Sequence, residues 1–236
     1  MREVRHIHHL VMSPVWTVAP HPDATDDEAP GSFRRHDIAP FSGGMTPPSW
    51  PQIDADLTTW IDDVNSLGTQ ISTGHLTGPL PEALAEAHVR FEQIHPFLDG
   101  NGRTGRLALN LALVRLGYPP VIILKAQRPA YLAAMQSADR GEFGPLAEIL
   151  ARAMIDNLNR FILPNVAGPA RLLPLPALVD GDITLVALRQ AAARGRLDAV
   201  RAPDGSWQST RKAVDAYKKS RQHRGRRFSS DTAEKG

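Results

Sequence analysis

The chain has 236 residues, 42% hydrophobic and 22% charged, enough for one sizeable core and a smaller second one, so disordered and fibrous classes are excluded. It contains no cysteine, which excludes disulfide scaffolds, thiolate metal sites and cysteine nucleophiles, and leaves oxygen or imidazole for any metal. The net charge of +2 conceals an uneven distribution: residues 171–236 carry 14 Lys/Arg against 7 Asp/Glu, residues 1–170 carry 13 against 18, and an acidic body with a basic end suggests two modules, the second suited to a polyanion.

The chain opens with Arg2, Glu3, Arg5 and three histidines where a secretory leader needs an apolar run, and no stretch reaches the roughly 18 apolar residues of a membrane helix. A soluble, cytoplasmic protein with no membrane partner is expected. Val4, Ile7 and Val11 predict a short helix over residues 1–12 that Pro14 ends. Residues 20–30 are acidic and poor in apolar side chains, a loop. Residues 31–48 hold Phe33, Ile38, Phe41 and Met45 around Gly43-Gly44, a pattern for a β-hairpin flap. Ser49 as N-cap, Pro51 in the first turn and Ile53, Leu57, Trp60, Ile61 and Val64 predict an amphipathic helix.

A second amphipathic helix starts near Pro81, presents Leu84, Ala87, His88, Phe91 and Ile94, and is broken by Pro96. A third runs from Thr104 to Leu116 with leucines on nearly every face, which predicts a central helix, and stops at Gly117. Helical patterns recur over 129–139 and 145–161; Pro164, Pro169, Pro174 and Pro176 then mark a linker. The expected division is an N-terminal helix and loop (1–30), an all-α body (31–165), a Pro-rich linker (166–176) and a basic module with its tail (177–236).

Between the second and third of these helices lies His95-Pro-Phe-Leu-Asp99-Gly-Asn-Gly-Arg103-Thr-Gly-Arg106. Gly100, Gly102 and Gly105 allow close approach of backbone to a ligand, and the turn feeds a helix N-terminus that favours an anion. Arg103 and Arg106 can grip phosphate oxygens. Asp99 is a hard ligand suited to the Mg²⁺ that accompanies a nucleoside triphosphate. His95 titrates near neutrality and is the candidate general base. Together they describe phosphoryl or nucleotidyl transfer. The alternatives fail on specifics: at P-loop spacing from Gly100, Arg106 and Leu107 stand where Lys and Ser/Thr are required, and a calcium loop from Asp99 would place Thr104 and Asn110 where Gly and Glu are needed.

HPFLDGNGRTGR resembles the signature of Fic (Fido) domains, HPF-x-[DE]-GN-[GK]-R-x-x-R, at every specified position. PGSFR at 30–34, the PP pair at 47–48, the AxxHxxFxxIHPF run from Ala85, GYPP at 117–120 and R-x-x-Y at 128–131 extend the likeness over roughly residues 30–163. The resemblance implies an all-α Fic-type helical bundle that transfers AMP from ATP to a Ser, Thr or Tyr hydroxyl of a target protein, releasing pyrophosphate. By the same resemblance His95 is the base and Asp99 holds Mg²⁺. Gly100, Asn101 and Gly102 form the anion hole, Arg103, Thr104 and Gly105 complete the ATP-binding loop, and Arg106 orients the γ-phosphate. Ser42, Gly43, Gly44 and Met45 form a flap that pairs with the target backbone, and Tyr131 with Leu132 borders the adenine. His88 is expected to be a packed histidine, and His6, His8 and His9 to be solvated.

Many such proteins carry an inhibitory [ST]-x-x-x-E-[GN] segment, whereas here only Ser230 to Glu234 has the spacing, followed by Lys235. The resemblance then leaves three readings: an uninhibited enzyme, a separate antitoxin-like partner that supplies the glutamate, or an N-terminal segment missing from this chain; a homodimer is a further expectation. Residues 177–221 read as helix, helix, hairpin and helix, similar to winged helix-turn-helix modules of the excisionase type. Eight Lys/Arg between Arg211 and Arg227 favour a DNA contact through residues 177–227. Two other functions compete: a kinase-like γ-phosphoryl transferase of the Doc type, whose signature has Lys at the position of Gly102, and a DNA-binding regulator with an inert Fic body.

Overall fold

A computed structural model of the chain describes residues 1–41, 45–166, 168 and 170–230, and all of their side chains save those of 164, 165 and 222–230. It is mostly helical with a small antiparallel sheet, as the sequence leads one to expect, and it divides into two compact units, Met1–Met154 and Ile155–Gly236.

The first unit is built from α1 (Arg2–Val18), α2 (Ile53–Ser72), α3 (Leu80–Ile94), α4 (Asn101–Arg115), α5 (Arg128–Ala138) and α6 (from Gly144). Helix α1 does not stop at Pro14 but runs four residues beyond it. The proline removes one N–H, but the carbonyl it frees belongs to Leu10 on an exposed face where water can satisfy it. Ser13 and Thr17 hydroxyls add bonds to the carbonyls of His9 (2.6 Å) and Ser13 (2.9 Å) along the same stretch. The buried stripe of α1 is Val4, His8 and Met12, so His8 belongs to the core and not to solvent.

Helix α2 is entered through a 3-10 turn at Trp50–Gln52. The Ser49 hydroxyl does not cap this turn; it donates to Asp37 (3.0 Å), whose carboxylate also accepts the Trp50 N–H (2.8 Å). Ile53, Leu57, Trp60 and Leu67 face inward, and the Trp60 indole donates to the Ala87 carbonyl of α3 at 2.7 Å.

Two apolar clusters stabilise the unit. One gathers Leu84, Val89, Leu109, Leu113, Tyr131, Leu146 and Leu150; the other joins Val4, Leu57, Trp60, Phe91, Ile94 and Phe97. Each fully buried large apolar side chain contributes roughly 1.5–3 kcal/mol. Helix α4 packs on α1 and α3, yet Leu107 and Val114 are exposed, so it is apolar all round in composition without being enclosed all round. It ends at Gly117 (φ 80°), where the Tyr118 N–H returns to Leu113 O (2.9 Å), and the Asn110 side chain then bonds both backbone groups of Val121.

The second unit comprises the end of α6, a π-helical turn at Leu158–Ile162, α7 (Leu163–Val166), β1 (Leu173–Pro174), a 3-10 turn (Leu175–Leu178), α8 (Leu185–Ala193), β2 (Ala199–Arg201), β3 (Trp207–Ser209) and α9 (Arg211–Ser230). The sheet order is β1-β3-β2, all antiparallel, with Val200 opposite Gln208 and Leu173 opposite Ser209. The hairpin turns at Pro203-Asp204-Gly205, as its residues imply, with Gly205 at φ 80°. The first helix expected in this module is only the 3-10 turn, and prolines of the linker segment lead straight into it: Leu173, Leu175 and Leu178 are buried with Ile183, Leu188, Leu197 and Val214.

Candidate functional site

A cleft of about 1240 Å³ opens in the first unit, and the turn between α3 and α4 forms one wall of it. Helix α3 ends where His95 takes a left-handed conformation (φ 47°, ψ 60°), the one non-glycine residue with positive φ among the described residues. A non-glycine residue in that region costs of order 1–3 kcal/mol and persists only when its surroundings hold it. Arg34 does the holding: fully buried, its guanidinium donates to the carbonyls of His95 (2.9 Å), His36 (3.0 Å) and Pro48 (2.6 Å).

The His95 Nδ1 lies 3.2 Å from the Glu92 carbonyl. A carbonyl only accepts, so Nδ1 carries the proton and Nε2 keeps its lone pair as a proton acceptor. Burial lowers the His95 pKa to about 4, so the ring is neutral at physiological pH.

The rest of the turn is set by buried contacts. Phe97 is wholly enclosed, and the Asn101 side chain clasps it by accepting its N–H (3.0 Å) and donating to its carbonyl (2.7 Å). Gly100 stands at φ 77° as the N-cap of α4, and a Cβ there would come within 2.5 Å of Met12 Sδ. His8 of α1 completes the seat. It donates from Nε2 to the Asp99 carbonyl (3.0 Å), accepts the Gly31 N–H at Nδ1 (2.8 Å), and stacks flat on Phe97. The two partners fix its tautomer, and burial lowers its pKa to about 4.

The amides of Asn101, Gly102 and Arg103 begin α4 with no helical partner of their own, at the positive end of its dipole. Asp99 is exposed, with one carboxylate oxygen on the Gly100 N–H (2.5 Å) and the other 3.3 Å from Arg103. Among the described residues no cluster of three or more His, Asp or Glu could cage a metal. One exposed carboxylate beside an anion cradle nevertheless suits Mg²⁺, which is usually held by one or two carboxylates and by substrate phosphates.

His95, Asp99, Gly100, Asn101, Gly102, Arg103, Arg106, Tyr131 and Leu132 all line this one cleft. Thr104 and Gly105 do not; both are buried in the first turns of α4, with Gly105 packed on Glu92 and Phe91. Tyr131 hydrogen-bonds the buried His88 (2.6 Å), and burial raises its pKa to about 12. Of the flap, Ser42, Gly43 and Gly44 lie outside the described residues. Phe41 and Met45 on either side share a backbone bond (2.9 Å), and the Phe41 ring sits 4.8 Å from that of His95.

Sequence reasoning missed Glu92, Arg34 and His8. Glu92 was detectable as a carboxylate on the buried Ala85-His88-Glu92 stripe of α3, and His8 as the middle of the Val4-His8-Met12 stripe; Arg34 left no such signal, because its partners are carbonyls of three separate segments.

Residues 1–113 match the model of the Fic/DOC family. Over these residues the chain is similar to Fic domains. Protein adenylyltransferase Fic of Drosophila erecta is 35% identical over 152 residues, which are 64% of this chain and 28% of that protein. The Aedes aegypti protein of the same name is 34% identical over 153 residues, 64% of this chain and 29% of the relative. The chain thus spans under a third of the length of these curated relatives. Among solved structures, Fic-1 from C. elegans is 31% identical with a TM-score of 0.50, covering 68% of this chain and 41% of the other. A Fic domain containing signaling protein from Bacteroides thetaiotaomicron shares the fold at 24% identity, TM-score 0.52, covering 66% and 59%. Two glycines of this turn answer particular contacts: Gly100 admits Met12 and Gly105 admits Glu92.

Proposed function

We propose that the domain transfers AMP from ATP to a Ser, Thr or Tyr hydroxyl of a target protein. The observation that carries this reading is a neutral imidazole with its Nε2 lone pair available, in the same cleft as an anion cradle made of the α4 N-terminus and two arginines. His95 removes the hydroxyl proton, the oxygen bonds to the α-phosphorus, and the bond to the β-phosphate oxygen breaks to release pyrophosphate. The α4 amides and Arg103 hold the phosphates, and Arg106 orients the far end of the triphosphate; positioning and charge stabilisation do most of the work in such substitutions. Asp99 would hold Mg²⁺, which would supply positive charge against that of the phosphates. That similar proteins are named protein adenylyltransferase supports this reading.

A γ-phosphoryl transfer is less well supported. Gly102 stands where the kinase-like pattern has Lys, and a side chain there would start 3.2 Å from Arg106 Nη1, tight enough that the guanidinium would have to shift by a few tenths of an ångström. Incubation with ATP labelled at either the α- or the γ-phosphate tests the choice: label on protein from α supports AMP transfer, and label from γ alone overturns it.

For the second unit we propose a DNA contact through residues 177–227. Arg189, Arg194, Arg196 and Arg201 are exposed, and the Arg201 guanidinium sits 4.8 Å over the Trp207 ring on the hairpin. Lys218 is instead engaged by Asp180 and Asp182. Retention of duplex DNA that weakens steeply with salt supports the contact, and no retention at low salt overturns it.

No helix among the described residues is long and apolar enough to cross a membrane.

A further inference from the structure

Glu92 is a buried titratable group in the cleft wall whose chemistry the reaction above does not use. It sits on α3 one turn before His95, and its carboxylate points at the start of α4. A Cβ on Gly105 would collide with Oε1, and a Cβ on Gly102 would be 3.9 Å from both carboxylate oxygens and 3.2 Å from Arg106 Nη1. Glu92 and Arg106 therefore converge on the same patch of backbone, where the amides that begin α4 await an anion.

Oε1 is shut off from solvent and has no hydrogen-bond partner among the described residues. Among the described residues no ion pair joins this oxygen to Arg106. An isolated carboxylate so placed is costly when it stays charged. The other charged or titratable groups that face it are few. Arg106 of α4 favours the ionised form, Asp139 at the end of α5 opposes it, and Tyr131 of α5 and His88 of α3 are neutral neighbours. Asp139 itself accepts a hydrogen bond from Gln93 (3.1 Å). Burial dominates and pushes the Glu92 carboxyl up to about 7.

We propose that Glu92 is a proton-linked binding residue of the triphosphate subsite: it takes up a proton when phosphate enters beside Arg106, and its ionised form excludes phosphate from that place. A second negative charge within a few ångströms raises a carboxyl pKa, and phosphate that engages Arg106 also withdraws the one cation that favours ionised Glu92. The protonated carboxyl has a donor to offer a phosphate oxygen; the carboxylate has only lone pairs. This inference rests on the nucleotide reading above.

Calorimetric titration with Mg²⁺ and the α,β-methylene analogue of ATP, which cannot give up AMP, tests it. Repeated at pH 8 in buffers of different ionisation enthalpy, the wild-type heats should differ between buffers by the uptake of up to one proton, and the affinity should fall by up to about tenfold per pH unit above 7. Glu92→Gln, checked for an unchanged thermal transition, should bind with equal heats in all buffers, up to about tenfold more tightly than wild type at pH 8 and equally at pH 6. The pH dependence of wild-type affinity provides a readout that needs no variant. Binding with equal heats in every buffer, or a buffer dependence that persists in Glu92→Gln, overturns this inference alone. No binding in any buffer overturns the nucleotide reading and this inference with it.

Discussion

The imidazole of His8 lies flat on the ring of Phe97, centroids 3.7 Å apart and planes 1° from parallel, although the two residues are in different elements and 89 positions apart. The contact ties the first helix to the floor of the turn between α3 and α4, and the two hydrogen bonds of His8 lock its register. His8→Phe preserves the stack but strands the part-buried Gly31 N–H and Asp99 carbonyl, an expected loss of about 1 kcal/mol for each hydrogen bond removed. His8→Ala also opens a cavity and should cost more. Urea denaturation of the two variants measures both; a His8→Phe domain as stable as wild type would contradict the hydrogen-bonding role.

Arg34 serves three carbonyls with one planar fork. Lysine has a single nitrogen at its end and cannot reach all three, so Arg34→Lys should destabilise the domain by about 2–4 kcal/mol and free His95 from its left-handed conformation. AMP transfer should fall with it. Transfer at the wild-type rate in a melted-down variant would separate the two roles and disprove the second.

At Gly100 the left-handed backbone and the Met12 contact are separable. Gly100→Ala should cost about 1–2 kcal/mol for the conformation, plus the clash with Met12 Sδ and Cγ. Adding Met12→Ala removes the clash and leaves the backbone strain, so relative to Met12→Ala alone the glycine replacement should cost only the smaller sum. A double-mutant cycle by thermal denaturation reads the difference.

His95→Ala should reduce AMP transfer about 100- to 10,000-fold, the range for a general base, while nucleotide affinity stays within a few-fold. Arg106→Ala should weaken nucleotide binding itself. Quench-flow transfer assays with calorimetry distinguish them, and abolished ATP binding in His95→Ala would sink the assignment of the base.

Acidification provides a test of burial. His8, His88 and His95 are each held at about 4 in the folded domain by desolvation, against about 6.5 when exposed. Their lowered pKa values contribute stability that is present above 6.5 and lost as pH falls through 4, because the unfolded chain binds their protons first. Glu92, raised to about 7, acts in the opposite sense, its contribution being complete below 4.5 and lost as pH rises through 7. Three groups outweigh one, so the transition temperature should fall between pH 6.5 and 4. Glu92→Gln should steepen that fall and His8→Asn should reduce it; a flat profile would mean that the histidines are hydrated.

The helices that frame the cleft were legible from spacing alone because each buries a stripe defined by its own 3.6-residue period, as Ile53, Leu57, Trp60 and Leu67 do. The turn from His95 to Arg106 was legible for a similar reason, since its anion cradle is a local property of glycines and a helix start. Pro14 misled because local stereochemistry favours a break, whereas the helix needed only one exposed carbonyl to go to water. What the sequence by itself determined, then, is the set of elements and the chemistry of one loop. Only the tertiary structure decided which distant residues hold that loop in place: His8 reaches Asp99 across 91 positions, Arg34 reaches His95 across 61, and Glu92 faces Arg106 because two glycines leave no side chain between them. Such contacts depend on the path of the chain between their ends, and no periodicity in either segment encodes that path.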